Sequence, residues 1–131
     1  MTSQIGQWAP TVTRWFQTFN NIKGVIVSYK VGPADELSEG EALLVRASES
    51  GASEDIAVFH AEDGNFYALQ DECTHEVASL SDGWIEGCEV ECPIHSSSFD
   101  LRTGKVQCMP ATVDARTYKV AVVDGNLELD I

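Results

Sequence analysis

The sequence predicts an all-β fold, a small antiparallel sandwich or barrel. Two observations predict it: short apolar stretches of strand length recur at regular spacing, and turn signals separate them. Gly24 to Val31 alternates well enough for a strand, and Gly32-Pro33 breaks it. Asp35 to Glu39 reads as a short turn or helical turn. Glu41 to Ala47 reads as a strand, followed by a polar loop from Ser48 to Glu54. Asp55 to His60 and Asn65 to Gln70 flank Glu62-Asp63-Gly64, a hairpin signal because glycine accepts the positive φ of a tight turn. Residues 71 to 109 then form an insertion: a loop, short strands around Trp84-Ile85 and Val90-Glu91, a second loop, and a strand near Ser98-Phe99. The chain returns with Thr117 to Val123, an Asp124-Gly125 turn, and Asn126 to Ile131.

A chain of 131 residues makes one domain with room for a sizeable core. It holds no run of about 18 apolar residues, so no membrane-spanning helix is expected. Met1 to Asn20 lacks the basic start, apolar run and small-residue cleavage site of a secretion signal. Val12, Trp15, Phe16, Phe19 and Ile22 fall at i, i+3, i+4, i+7 and i+10, one face of a helix. The expected role of that face is packing on the chain's own sheet. The second reading is a surface for a partner or for self-association through residues 12–22, although a monomer is expected.

The net formal charge is −13, and its distribution is lopsided. Between Arg46 and Arg102 there is no Lys or Arg, and that interval holds thirteen acids, among them Asp71, Glu72, Glu76, Glu89 and Glu91. Such a surface repels phosphates, so nucleic-acid binding is disfavoured. It reads either as a solubilising surface or as a field that steers basic partners.

Two mixed Cys-His pairs sit in the insertion. Cys73-Thr74-His75 and Cys92-Pro93-Ile94-His95 are separated by sixteen residues, and each offers one thiolate and one imidazole on a tight turn. Two Cys and two His suit a tetrahedral zinc ion or a 2Fe–2S cluster with Cys on one iron and His on the other. Zinc fingers usually pair like with like. Here each turn mixes the types, so each can give one ligand to each of two irons. The third histidine, His60, lies in a strand far from both pairs and reads as a structural residue.

The wider motif adds Leu80-Ser81-Asp82-Gly83 between the pairs and Phe99-Asp100-Leu101-Arg102-Thr103-Gly104-Lys105 after them. With these, the chain resembles the Rieske iron–sulfur proteins over roughly residues 25 to 131, and most of all the soluble Rieske ferredoxins of bacterial multicomponent oxygenases. Ligand order, spacing, the proline after Cys92, and the Phe-Asp and Thr-Gly pairs all agree. The resemblance implies a Rieske domain over residues 24–131, with a cluster-binding subdomain at about 71–109 on a β base, and residues 1–23 as an N-terminal extension. It implies one 2Fe–2S cluster, with Cys73 and Cys92 on the buried iron and His75 and His95 on the outer iron.

The resemblance also implies roles for neighbouring residues. Met109-Pro110-Ala111 matches the proline-containing loop that covers the cluster, so Val77, Ile94, Met109 and Pro110 are expected to form an apolar docking rim. High-potential relatives have a Tyr at the place of Phe99, which donates to a cysteine sulfur, and Phe99 has no hydroxyl to do so. They also have a Ser donor at the place of Ser97, which is retained. Their loop-joining disulfide would need cysteines at Ala78 and Ile94 and is impossible here, which fits a reducing cytoplasm. Cys88 and Cys108 read as small buried hydrophobes rather than ligands.

The function implied is one-electron transport, without substrate chemistry on this chain. The electron would come from an NAD(P)H-dependent flavin reductase. It would pass to a terminal oxygenase of aromatic hydrocarbon catabolism, and both dockings would be transient. The alternative is the small Rieske-like subunit of an NADH-dependent nitrite reductase.

Overall fold

The computed structural model describes residues 28–74, 77–94, 97–109 and 111–131. The helix expected over 12–22, the first part of the strand expected from Gly24, and His75, Glu76, His95 and Pro110 lie outside the described residues. Eleven strands among the described residues form three antiparallel sheets. The first has the order β1 (Ser28–Pro33), β11 (Asn126–Asp130), β10 (Val120–Val123). The second has the order β2 (Ala42–Val45), β3 (Ile56–His60), β4 (Phe66–Gln70), β9 (Thr117–Tyr118). The third runs β5 (Trp84–Glu86), β6 (Glu89–Glu91), β7 (Ser98–Asp100), β8 (Val106–Cys108).

Strand β3 explains how the layers are joined. Side chains alternate across a strand, yet Ile56, Ala57, Val58 and Phe59 are all fully buried. Ile56 and Val58 join Leu127 and Leu129 of the first sheet in one apolar core. Ala57 and Phe59 point the other way, into a second core with Leu80, Val90, Phe99 and Leu101. At β3 the second sheet is therefore a middle layer, buried on both faces, and this strand reads as an apolar run rather than an alternation.

Four expectations change in detail. The Gly32-Pro33 pair expected to break the first strand lies inside β1, with a register shift between Lys30 and Gly32. Beyond β2 the chain forms a single helical turn, Ala47–Ser50, where a loop was expected from Ser48. The Asp55 carboxylate accepts the Ala47 N–H at 2.8 Å, and Gly51 ends the turn in the left-handed region. The stretch from Thr117 to Val123, expected as one strand, divides at Lys119: β9 pairs with β4 and β10 pairs with β11. Val106 to Cys108 pairs with β7 as an edge strand, which its sequence did not announce.

Two motif glycines are explained by close backbone approach. A Cβ on Gly83 would stand 2.2 Å from the Glu91 carbonyl oxygen, and one on Gly104 would stand 2.1 Å from that of Ala115. Gly104 also has φ +77°. The Phe99-to-Lys105 motif is thus a structural turn. Phe99 fills the core, the Asp100 carboxylate accepts the Arg102 N–H at 2.8 Å, and Gly104 lets the return strand pass.

Candidate metal centre

The two Cys-His turns are built alike. The Cys73 N–H donates to the Ala78 carbonyl at 2.9 Å, and the Cys92 N–H donates to the Ser97 carbonyl at 2.7 Å. In each loop the bond spans five residues, so a cysteine opens the loop and its own amide closes it. The first loop is braced from below. Asp71, nearly buried, accepts the Ser79 hydroxyl at 2.5 Å and the Ser81 N–H at 3.0 Å, and its carbonyl accepts the Leu80 N–H at 2.7 Å. The second loop leaves β6 and returns as β7, so a two-stranded ladder fixes its ends.

Both loops converge on the segment that follows β8. The Thr74 hydroxyl donates to the Val113 carbonyl at 2.6 Å, and the fully buried Ser97 hydroxyl accepts the Ala111 N–H at 2.9 Å. Cys73 is 4% exposed and Cys92 1% exposed, and both belong to one apolar core. Neither is in a disulfide. Two thiols at equivalent places of two loops, in one dry core, fit the thiolate half of a mixed Cys/His cluster site. His75 and His95 follow them by two and three residues but lie outside the described residues.

The surface around the loops is apolar and acidic. Val77 is 87% exposed, Met109 74% and Ile94 53%, one from each of the three converging segments. Val113 is also exposed and joins this set. Sequence reasoning did not single out Val113 or Thr74, and it named Ala111 only as part of the Met109-Pro110-Ala111 segment. The only signal for Thr74 was its position inside the first Cys-His turn. Phe99 is fully buried.

Cys88 and Cys108 are not the buried hydrophobes expected. Cys108 ends an edge strand and is exposed. Cys88 follows the tight turn at Gly87 and is half-buried, and its thiol donates to the Asp63 carboxylate at 3.3 Å. The same carboxylate accepts the Asn65 N–H at 2.8 Å and the Tyr67 hydroxyl at 2.7 Å. The Asn65 amide first, and then the Tyr67 hydroxyl, hold Asp63 down at about 2. The Cys88 thiol is pushed up, chiefly by its bond to that anion. His60 is structural, with Nδ1 2.8 Å from the Leu37 carbonyl oxygen and its ring stacked on Phe66.

A family model described as the Rieske [2Fe–2S] domain matches residues 27–119. The 3-phenylpropionate/cinnamic acid dioxygenase ferredoxin subunit of Photorhabdus laumondii is 46% identical over 98 residues, 74% of this chain and 88% of that protein. Among solved structures, a complex of reduced oxygenase and oxidised ferredoxin in carbazole 1,9a-dioxygenase matches with TM-score 0.71 and 34% identity, covering 79% of this chain and 92% of the matched one. A protein described as an NADH-dependent nitrite reductase small subunit, from Mycobacterium tuberculosis, shares the fold at TM-score 0.72 and 21% identity, covering 82% of this chain and 96% of that one.

Proposed function

The chain belongs to the Rieske [2Fe–2S] family, and on that ground we propose that it is the ferredoxin of a multicomponent ring-hydroxylating oxygenase. It carries one electron at a time from an NAD(P)H-dependent flavin reductase to a terminal Rieske non-haem iron oxygenase, and it is a carrier rather than a catalyst. The reading favours the cytoplasm as its compartment and a monomer as its working state. Residues 24–131 are taken as the Rieske domain, with 71–109 as the cluster-binding subdomain and 1–23 as an extension.

One observation carries this reading: two loops of equal closure, each opened by a buried cysteine, end at an exposed apolar rim. In the proposed site Cys73 and Cys92 would hold one iron, and His75 and His95 would hold the other. When bound, the cluster takes up and gives back a single electron. A neutral imidazole places less negative charge on the iron than a thiolate, so the His pair raises the potential above that of a four-Cys cluster. Thr74 and Ser97 position the two loops against the Ala111–Val113 segment. The Ser97 oxygen is the acceptor from Ala111, so its own proton is left to donate, and a cluster sulfur is the proposed acceptor. Val77, Ile94, Met109 and Pro110 give the partner an apolar contact small enough to release quickly.

The deciding experiment is reconstitution. Purified protein should restore NADH-driven turnover to a reductase and a terminal dioxygenase freed of their own ferredoxin. Failure there, together with a stable stoichiometric complex with a nitrite reductase large subunit, would move the chain to the other reading. The 46% identity to a dioxygenase ferredoxin favours the first.

A further inference from the structure

Among the described residues three polar side chains are buried: Gln70, Asp71 and Ser97. Burying a polar group costs free energy unless it is hydrogen-bonded, so each needs partners. Asp71 braces the first Cys-His loop, and Ser97 ties the second loop to the segment after β8. Gln70 is the third. It is the last residue of β4, 8% exposed, and stands three residues before Cys73.

The Gln70 side chain extends the sheet by one rung. Strands β4 and β9 pair at Ala68–Tyr118 and Leu69–Thr117. One step further, the Gln70 N–H donates to the Arg116 carbonyl at 2.9 Å. The Arg116 N–H donates in turn to the Gln70 side chain, at Oε1, at 2.8 Å. The other end of the same amide, Nε2, donates to the Glu72 carbonyl at 2.9 Å. That carbonyl belongs to the peptide bond joining Glu72 to Cys73. One planar group thus accepts from the β base and donates to the root of the first loop. Few side chains can do both: a carboxylate only accepts, an ammonium only donates, and a thioether barely accepts. The base end is itself held. The Arg116 guanidinium donates to the Glu54 carboxylate at 2.7 and 2.8 Å, and the Tyr118 hydroxyl donates to that carboxylate as well.

We propose that Gln70 is a positioning residue for the first ligand loop: through the Glu72 carbonyl it fixes the Glu72–Cys73 peptide against the Arg116 backbone and so holds Cys73 in place for the cluster. The inference rests on the proposed cluster site, and Gln70 acts there through Cys73. The two loops differ in what stands beneath them. Before Cys92 the chain is strand β6, and its ladder with β7 pairs Glu91 with Ser98 at the loop's root. The matching pair under the first loop, Glu72 and Ser79, is an isolated bridge. The Cys73 N–H bonds to the Ala78 carbonyl within the loop, which closes the loop but does not fasten it to the base. Asp71 holds the far side at Ser79 and Ser81. The Gln70 amide holds the cysteine side, where the second loop has a ladder.

Hydrogen exchange resolved by residue, on the full chain with its cluster, tests it. A wild-type chain without iron and sulfide refutes the cluster reading and the positioning role with it; a defect confined to the variants bears on Gln70 alone. Gln70→Met keeps length and neutrality and removes both bonds. Exchange at the Cys73 amide should quicken by about tenfold, the factor that ~1.4 kcal/mol of local protection represents. Exchange at the Cys92 amide should stay as in wild type, and the g-values of the reduced cluster should shift. Tyr118→Phe loosens the same corner without touching the Glu72 carbonyl. It should lower the thermal midpoint and leave Cys73 exchange and the g-values unchanged. Quickening confined to the Arg116 amide, or g-values unchanged in Gln70→Met, overturns the proposal. So do equal changes in Tyr118→Phe, which would make the effect a general loosening. If Gln70→Met does not fold, Gln70→Glu decides alone. It keeps an acceptor for Arg116 and sets an oxygen against the Glu72 carbonyl, and unchanged exchange at Cys73 overturns the proposal.

Discussion

The fully buried Ser97 hydroxyl accepts the Ala111 N–H at 2.9 Å and so ties the second Cys-His loop to the segment after β8. Thr74 ties the first loop to the same segment through the Val113 carbonyl at 2.6 Å. With no cysteine at position 78 or 94, no disulfide between those positions can join the loops. Two hydroxyl-to-backbone bonds connect them through a third segment instead. The apolar rim of Val77, Ile94 and Met109 is assembled by these bonds.

Replacing Ser97 tests that link. Ser97→Ala leaves the Ala111 N–H without its buried acceptor, a loss of about 1–3 kcal/mol. The thermal midpoint for bleaching of the visible absorbance should fall. The reduction potential should also fall, because a donor to sulfur favours the more negative reduced form. Wild type itself should lie toward the low end of the Rieske range, roughly −150 mV rather than +300 mV. A potential unchanged in Ser97→Ala, beside lowered stability, would limit Ser97 to holding the loops together.

The ligand set predicts a division among six residues. His75→Ala, His95→Ala, Cys73→Ser and Cys92→Ser should lose iron and acid-labile sulfide, or bind them so weakly that gel filtration strips them. Cys88→Ser and Cys108→Ser should retain two irons and two sulfides per chain, since Cys88 is held by Asp63 and Cys108 is exposed on an edge strand. Iron lost from either of these Ser variants, with iron kept in a His variant, would overturn the assignment.

Cys88 should be a slow thiol. Its pKa is raised because it donates to the Asp63 carboxylate, and a raised thiol pKa means less thiolate at any pH below it. Asp63 is held down at about 2, so it stays ionised across the whole range in which thiols are alkylated. At pH 8 iodoacetamide should therefore label Cys108 before Cys88, as resolved by peptide mass spectrometry. Asp63→Asn should quicken labelling of Cys88 and leave Cys108 unchanged. Equal rates for Cys88 in both proteins would mean that access, not charge, protects it.

The acidic stretch predicts a salt-dependent rate. The Debye length falls from about 10 Å at 0.1 M to about 3 Å at 1 M, so long-range attraction to a basic partner fades while apolar contact remains. The second-order rate of reduction by the reductase should fall with salt. Glu72, exposed and adjacent to Cys73, should matter more than Glu39, also exposed. Glu39 precedes Gly40, whose amide bonds to the carbonyl of His60 at the far end of β3. Glu72→Lys should slow reduction several-fold and Glu39→Lys little, by stopped-flow absorbance. A rate flat in salt, or equal effects, would leave the acids as solubilisers.

The candidate ligands of the proposed site were legible in the chain because their spacing is local. The thiol and imidazole of each pair lie two or three residues apart, and a tight turn is enough to present both. The glycines at 83 and 104 were visible as part of a motif, but the reason for them was not. It lies in the Glu91 and Ala115 carbonyls, which approach from other segments. The hairpin at Glu62-Asp63-Gly64 was legible for the same local reason as the cysteine turns. Strand β8, the division at Lys119, and the Thr74 and Ser97 ties were not, since each depends on a partner far along the chain. Cys88 shows the same boundary. Its residue type suggested burial, but its environment is set by Asp63, twenty-five residues earlier, which tertiary folding brings to 3.3 Å. By itself the sequence determined the family and the all-β class, and it named the four candidate cluster ligands of the proposed site. Only the tertiary structure decided which hydroxyls hold the loops together, which apolar side chains stand exposed beside them, and which strand is left as an open edge. Those outcomes depend on contacts between segments far apart in the chain, and spacing along a sequence does not encode them.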